Sequence, residues 1–199
     1  MKIAIIDYGA GNLNSVERGL AFVGTPGKIT GDPAEIEAAD ALVLPGVGAF
    51  EACMRQVEPL KKVILGRVDA GVPLLGICLG MQMFYGASEE NGCHQGLKIV
   101  PGTVSRFAGD LKVPHMGWNS LSVEQKHPLL KDIPDDSFVY FVHSYRAGVT
   151  GNTVASSDYG GAFTAIVSNE AGNAVCTQFH PEKSGPVGLK MLKNFAGMI

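Results

Sequence analysis

The sequence predicts an α/β fold: a mostly parallel central sheet with helices on both faces and added antiparallel strands in the second half. Three observations predict it. Short apolar or β-branched runs alternate with amphipathic stretches through the first half. Gly- and Pro-rich turns bound those runs. Past residue 100 the rhythm changes to closely spaced extended segments. With 199 residues, 46% hydrophobic and 18% charged, the chain has the balance of a globular protein and the length for one sizeable core.

Residues 2–7 form a short β-branched run, read as a buried strand. A Gly-rich loop over 8–12 follows, and Asn12 is placed to cap a helix over 13–23 with Val16, Leu20 and Val23 on one face. Asp32-Pro33-Ala34-Glu35 joins a cap, a proline at the first helical position and a glutamate three residues on, which opens a short helix. Residues 41–44 are a second buried strand, ended by Pro45-Gly46-Val47-Gly48. Pro59 opens a further helix toward Ala70, and 73–77 is a third apolar strand. In the second half, 137–145, 153–157, 162–167 and 174–179 read as extended, with a hairpin turn over 169–173. Residues 187–198 return to helix, striped by Val187, Met191, Leu192 and Phe195. No linker, repeat or low-complexity segment interrupts the chain, so 1–199 reads as one domain.

Several function classes lose ground at once. The net charge is -3 and Lys61-Lys62 is the only adjacent basic pair, so no nucleic-acid partner is expected. Asp7 interrupts the first apolar run, and the weakly polar stretch over 71–81 is too short to cross a bilayer. A cytoplasmic protein without membrane contact is the expectation. The four cysteines, Cys53, Cys78, Cys93 and Cys176, have no C-x-x-C spacing and no histidine at finger spacing. No metal site is expected, and Cys53, Cys93 and Cys176 are read as structural.

Chemistry gathers in three places. Gly76-Ile77-Cys78-Leu79-Gly80 follows an apolar strand and runs into a helical stretch. This is the nucleophile elbow with cysteine in place of serine. A sharp turn needs small residues on either side of the nucleophile, lifts the thiol above the sheet and sets it at a helix N-terminus, where thiolate is favoured. The Leu79 N–H then faces the place where an oxyanion forms. In Gln178-Phe179-His180-Pro181-Glu182, Pro181 biases His180 toward an extended backbone. Two residues apart along an extended segment, Glu182 is placed to orient the His180 ring, giving a base and its carboxylate. His143 is the one rival base. Third, Pro45-Gly46-Val47-Gly48 ends a parallel strand, where open α/β sheets build their sites. Its Val47 N–H is a candidate second oxyanion donor. Together these features favour acyl transfer at a cysteine, without choosing among amide, ester and thioester substrates.

These segments, in order and spacing, resemble the triad-type (class I) glutamine amidotransferases, whose fold is flavodoxin-like. Ile6-Asp7-Tyr8-Gly9-Ala10-Gly11-Asn12, Pro114-His115-Met116-Gly117-Trp118-Asn119, Tyr140-Phe141-Val142-His143-Ser144-Tyr145-Arg146 and His180-Pro181-Glu182-Lys183-Ser184 are similar to the glutaminase subunits of imidazole glycerol phosphate synthases. The resemblance spans essentially the whole chain. It implies that glutamine is hydrolysed to glutamate and ammonia through a Cys78 thioester, with His180 as general acid–base and Glu182 orienting it. It implies oxyanion donors at Leu79 and Val47, and glutamine contacts from Gly46, Gly48, Gln82, Glu90, Ser144 and Tyr145, with Glu90 facing the α-ammonium. By the same pattern His143 is not the base. The implied partner is a cyclase subunit, a (β/α)8 barrel in a heterodimer, met near Asn12, Met116, Trp118 and Lys183. That partner uses the ammonia to make imidazole glycerol phosphate and aminoimidazole carboxamide ribonucleotide in histidine biosynthesis. No metal or organic cofactor is implied.

Three other readings compete. The chain could serve an amidotransferase for aminobenzoate, guanylate or pyridoxal phosphate synthesis, act as a silent scaffold, or hydrolyse esters. One residue carries a further expectation. A Cβ at Val47 restricts the oxyanion peptide relative to glycine, so the second donor is set correctly only when the partner binds.

Overall fold

The computed structural model describes residues 1–199. In chain order the first half holds β1 (Ile3–Ile6), α1 (Leu13–Phe22), β2 (Gly27–Thr30), α2 (Pro33–Glu37), β3 (Ala41–Gly46), α3 (Phe50–Asp69), β4 (Leu74–Cys78) and α4 (Leu79–Phe84). The second half adds β5 (Ala87–Ser88), β6 (His94–Gln95), β7 (Thr103–Arg106), β8 (His115–Ser120), β9 (Ser122–Val123), β10 (Phe138–His143), β11 (Tyr145–Ala147), β12 (Thr153–Asp158), β13 (Ala162–Ser168), β14 (Ala174–Thr177) and α5 (Gly185–Ala196).

Eight strands make the main sheet, in the order β2-β1-β3-β4-β14-β13-β12-β9. The first five pair in parallel. The last three are added antiparallel. Parallel strands must be covered on both sides, and the alternation of side chains does this. Ala4 and Ile6 of β1 enter one core with α2, α3 and α4, whereas Ile3 and Ile5 enter the other with α1 and α5. The two cores hold 27 and 25 buried residues, so neither face of the sheet is left open. Two smaller sheets, β10-β8 and β11-β7-β5-β6, stand beside the main one. No helix is long and apolar enough to cross a membrane.

The expected strands are present, and the 169–173 hairpin joins β13 to β14 in antiparallel register. Asp32 caps α2 by accepting the Ala34 N–H at 2.9 Å. Four readings need correction. Pro59 does not open a helix; it sits inside the 20-residue α3. The apolar stripe of Phe50, Cys53, Val57, Leu60, Ile64 and Val68 runs straight past it, and Pro59 and Arg55 are exposed, so water can serve the carbonyl the proline leaves without a donor. Asn12 occupies the N-cap position of α1 but makes no capping bond, because its side-chain amide turns to Glu182. Cys93 is exposed, unlike the buried Cys53 and Cys176, and so is no core residue. Residues 181–183 form a 3-10 turn, so Glu182 does not reach His180 along an extended segment.

Candidate active site

The sharp turn at Cys78 is real and has a backbone signature. Cys78 has φ 56° and ψ −108°, a conformation that costs a non-glycine residue of the order of 1–3 kcal/mol. It ends β4 and immediately precedes α4. The neighbouring glycines make this turn possible. A Cβ on Gly80 would collide with the Leu44 carbonyl oxygen, and one on Gly46 would stand 2.8 Å from the Gly80 nitrogen. β3 and the elbow therefore touch backbone to backbone. Gly46, paired in register with Cys78, supports the elbow and does not line the cavity above it.

That cavity, of about 340 Å³, opens at the C-terminal ends of β3 and β4. Cys78 and His180 both line it. Leu79 and Gln82 of α4 contribute one wall, and Val47 and Gly48 a second. Ser144, Tyr145 and Glu90 add a third, joined by Pro114, Val142 and His143. Chain segments separated by up to about two thirds of the sequence, from Val47 to His180, thus converge on one cavity.

His180 is held from every side. It is 2% exposed, and its backbone N–H donates to the Tyr140 carbonyl at 3.0 Å. The Ser184 hydroxyl donates to the His180 carbonyl at 2.6 Å and accepts the Tyr140 N–H at 3.0 Å. Nδ1 meets Glu182 Oε1 at 2.8 Å. The Glu182 side chain is fully buried, and Asn12 Nδ2 donates to the same oxygen at 3.4 Å. Burial alone would strip His180 of its charge, but the hydrogen bonds and charges of Cys78 and Glu182 outweigh it and push the imidazole up to about 9. The carboxylate fixes the ring and stabilises its charged form, the arrangement that lets an imidazole deliver a proton to a leaving group.

Two further side chains complete the ground under the sulfur. The Gln82 amide donates to the Tyr145 carbonyl at 3.1 Å and to Gln178 Oε1 at 3.1 Å. Gln178 Nε2 in turn points at Cys78 Sγ from 3.9 Å. The Cys78 thiol also lies 3.9 Å from the Val142 carbonyl. Sequence reasoning missed Gln178 and Ser184. The signal was available, since Gln178 lies two residues before His180 and Ser184 four after it, but a buried amide or hydroxyl has no spacing rule of its own.

Glu90 lines the cavity and also caps a helix. Its Oε2 accepts the Phe50 N–H at 2.7 Å, at the start of α3, where Ala49 offers no side-chain acceptor. The Val47 carbonyl accepts from the Cys53 thiol at 3.5 Å. The residues expected at a partner surface also gather. Met116 and Trp118 alternate on β8 and are 62% and 55% exposed, so Trp118 is not core. Trp118 lies edge-on to Tyr140 and beside Gly185, two residues past the exposed Lys183.

The model of the class-I glutamine amidotransferase family matches residues 4–198. The imidazole glycerol phosphate synthase subunit HisH of Methanosarcina barkeri is 53% identical, with 99% of this chain and 98% of the relative covered. The subunit of the same name from Methanosarcina acetivorans is 54% identical over the same shares. Among solved structures, PurLQS from Thermotoga maritima superposes with a TM-score of 0.76 at 18% identity, covering all of this chain and 96% of the other, a likeness of fold. The chain belongs to the class-I glutamine amidotransferase family, among the HisH subunits of imidazole glycerol phosphate synthase.

Proposed function

We propose that this chain, acting as a single domain over residues 1–199, is a glutaminase that releases ammonia for a cyclase subunit of imidazole glycerol phosphate synthase, in the cytoplasm. The observation that carries the reading is the convergence of Cys78 and His180 on one cavity, with Glu182 bound behind the imidazole. Full-length relatives named as subunits of that synthase support the assignment to histidine biosynthesis and to a partner chain.

The geometry supports the following steps. Glutamine enters with its side-chain amide over Cys78. Glu90, Ser144 and Tyr145 hold the amino-acid end, the carboxylate of Glu90 facing the α-ammonium. The Cys78 thiol passes its proton to His180 as the sulfur adds to the amide carbon, and the oxygen takes negative charge between the N–H groups of Leu79 and Val47. His180 gives its proton to the nitrogen, the C–N bond breaks and ammonia leaves. The γ-glutamyl thioester remains. Water then attacks it as His180 takes the water's proton; the C–S bond breaks, His180 returns that proton to the sulfur, and glutamate departs with the thiol restored. Glu182 keeps Nδ1 engaged throughout, so only the other nitrogen exchanges protons.

Ammonia must stay unprotonated to act as a nucleophile, which gives a chemical reason to pass it directly to a partner. The partner in this reading is a (β/α)8-barrel cyclase in a heterodimer, seated on the face carrying Asn12, Met116, Trp118 and Lys183. Glutamate release by wild type and Cys78→Ala, each with and without that cyclase, tests the proposal. Turnover in wild type that rises with cyclase and vanishes in the variant is the expected result. Equal activity of the variant, or stimulation only by a different synthase, defeats it.

A further inference from the structure

Two imidazoles line the catalytic cavity, and the glutaminase reaction uses only one. The other, His143, ends β10 opposite His115 of β8, and both are buried. His115 Nδ1 and His143 Nε2 are hydrogen-bonded at 3.0 Å. The outer nitrogens are engaged as well: His143 Nδ1 lies 2.9 Å from the Tyr145 carbonyl oxygen, and His115 Nε2 lies 3.3 Å from Asn119 Nδ2.

These partners decide the direction of each bond. A carbonyl can only accept, so His143 carries its proton on Nδ1 and must accept at Nε2. His115 therefore donates from Nδ1 and accepts the Asn119 amide at Nε2. Asn119 cannot simply turn over, since its amide also donates to the Asp158 carbonyl at 2.8 Å and its oxygen accepts the Ser120 N–H at 2.9 Å. An extra proton on either ring would face another N–H. The surroundings agree. His115 stacks on Phe141 and on Tyr159, with centroids 5.0 Å and 4.2 Å away, and the rings of Phe107 and Phe163 pack against both histidines. The ionisable groups acting on His143 are His115, His180 and Arg146, none of which offers it a negative charge. Burial first, then these groups, push His143 down to about 3.

What the pair holds is the Tyr145 carbonyl. That oxygen accepts from His143 on one side and from Gln82, on the elbow helix, on the other. The Ser144 carbonyl beside it accepts the Phe107 N–H at 3.2 Å. The wall that faces the bound amino acid is thereby tied to the helix that begins at the nucleophile.

We infer that His115 and His143 form a neutral, proton-locked pair that positions the Ser144–Tyr145 wall for glutamine binding, and that neither exchanges a proton with substrate. The inference rests on the glutaminase reading for its substrate. Its test has two arms. Side-chain nitrogen NMR of the wild-type chain should find both rings in the neutral Nδ1–H form throughout about pH 5 to 8, the range in which a free histidine titrates. Titration of either ring there, or an Nε2–H form, overturns the lock. In the second arm, glutamine kinetics are measured in the complex with the cyclase. His143→Phe should raise KM about ten-fold, as expected for one lost buried hydrogen bond, while kcat falls less than about three-fold. His143→Asn, whose amide can donate toward Tyr145, should return most of the KM. A kcat loss at unchanged KM in the phenylalanine variant, or no recovery with asparagine, overturns the positioning role. Should His143→Phe not fold, a His143→Asn KM more than about ten-fold above wild type does the same. An inactive wild-type complex is a different outcome, which removes the glutaminase reading itself.

Discussion

His180 and His143 line one cavity, are 2% and 5% exposed, and are driven in opposite directions. His180 is pushed up to about 9, and His143 down to about 3. Burial acts against charge on both, so burial does not explain the difference. Neighbours do. His180 has a buried carboxylate on Nδ1 and a thiol across the cavity. His143 has a carbonyl on one nitrogen and a second imidazole on the other. A buried histidine becomes an acid–base group when an anion pairs with it, and a fixed strut when only neutral partners do.

The contrast can be broken in stages. The largest effect should come from Cys78→Ala: glutamate release falls on the order of 10⁴–10⁶-fold, and nitrogen NMR finds His180 titrating below about 9 with His143 unmoved. A His180 titration unchanged in that variant would show that the thiol does not help hold the imidazole proton. Glu182→Gln keeps the shape but removes the charge, and should lower kcat roughly 10²–10⁴-fold in steady-state assays, with a smaller effect on KM. Withholding the cyclase should lower turnover by roughly 10²–10³-fold, the worth of one oxyanion donor, if the Val47 peptide awaits its partner. A lone chain as active as the complex counts against that.

The pH dependence of stability sharpens the same comparison. Because the folded pKa of His180 is raised, the folded state holds its proton more tightly than the unfolded one. The resulting stabilisation is complete below about 6.5 and is lost as pH rises through about 9. The urea midpoint should therefore fall across that window in wild type, and less so in Glu182→Gln. Equal slopes would sever His180 from its carboxylate. Asn12→Ala should have the smallest effect, a loss in kcat of less than about ten-fold, since a 3.4 Å hydrogen bond to a carboxylate with a closer partner is worth of the order of 1 kcal/mol.

Much of this was legible in the sequence, because it depends on local pattern. The strands are short apolar runs, and the elbow is a cysteine between glycines that leave room for the backbone of β3. The failures share a cause. Pro59 reads locally as a helix start, yet the apolar stripe packing α3 onto the sheet outweighs one missing N–H. Asn12 reads locally as a cap, yet a carboxylate 170 positions away takes its amide. Glu182 meets the His180 ring, but through a 3-10 turn where the local pattern reads an extended segment.

By itself the sequence determined the α/β class, pointed to Cys78, His180 and Glu182 as a candidate set, and carried a resemblance specific enough to suggest a substrate, since each is written in residue types at short spacing. Only the tertiary structure decided which histidine carries charge, that Gln178 and Ser184 support the site, and that Glu90 caps a helix while facing the cavity. Those outcomes depend on which polar groups meet across long stretches of chain in a place without water, and no spacing rule contains that information.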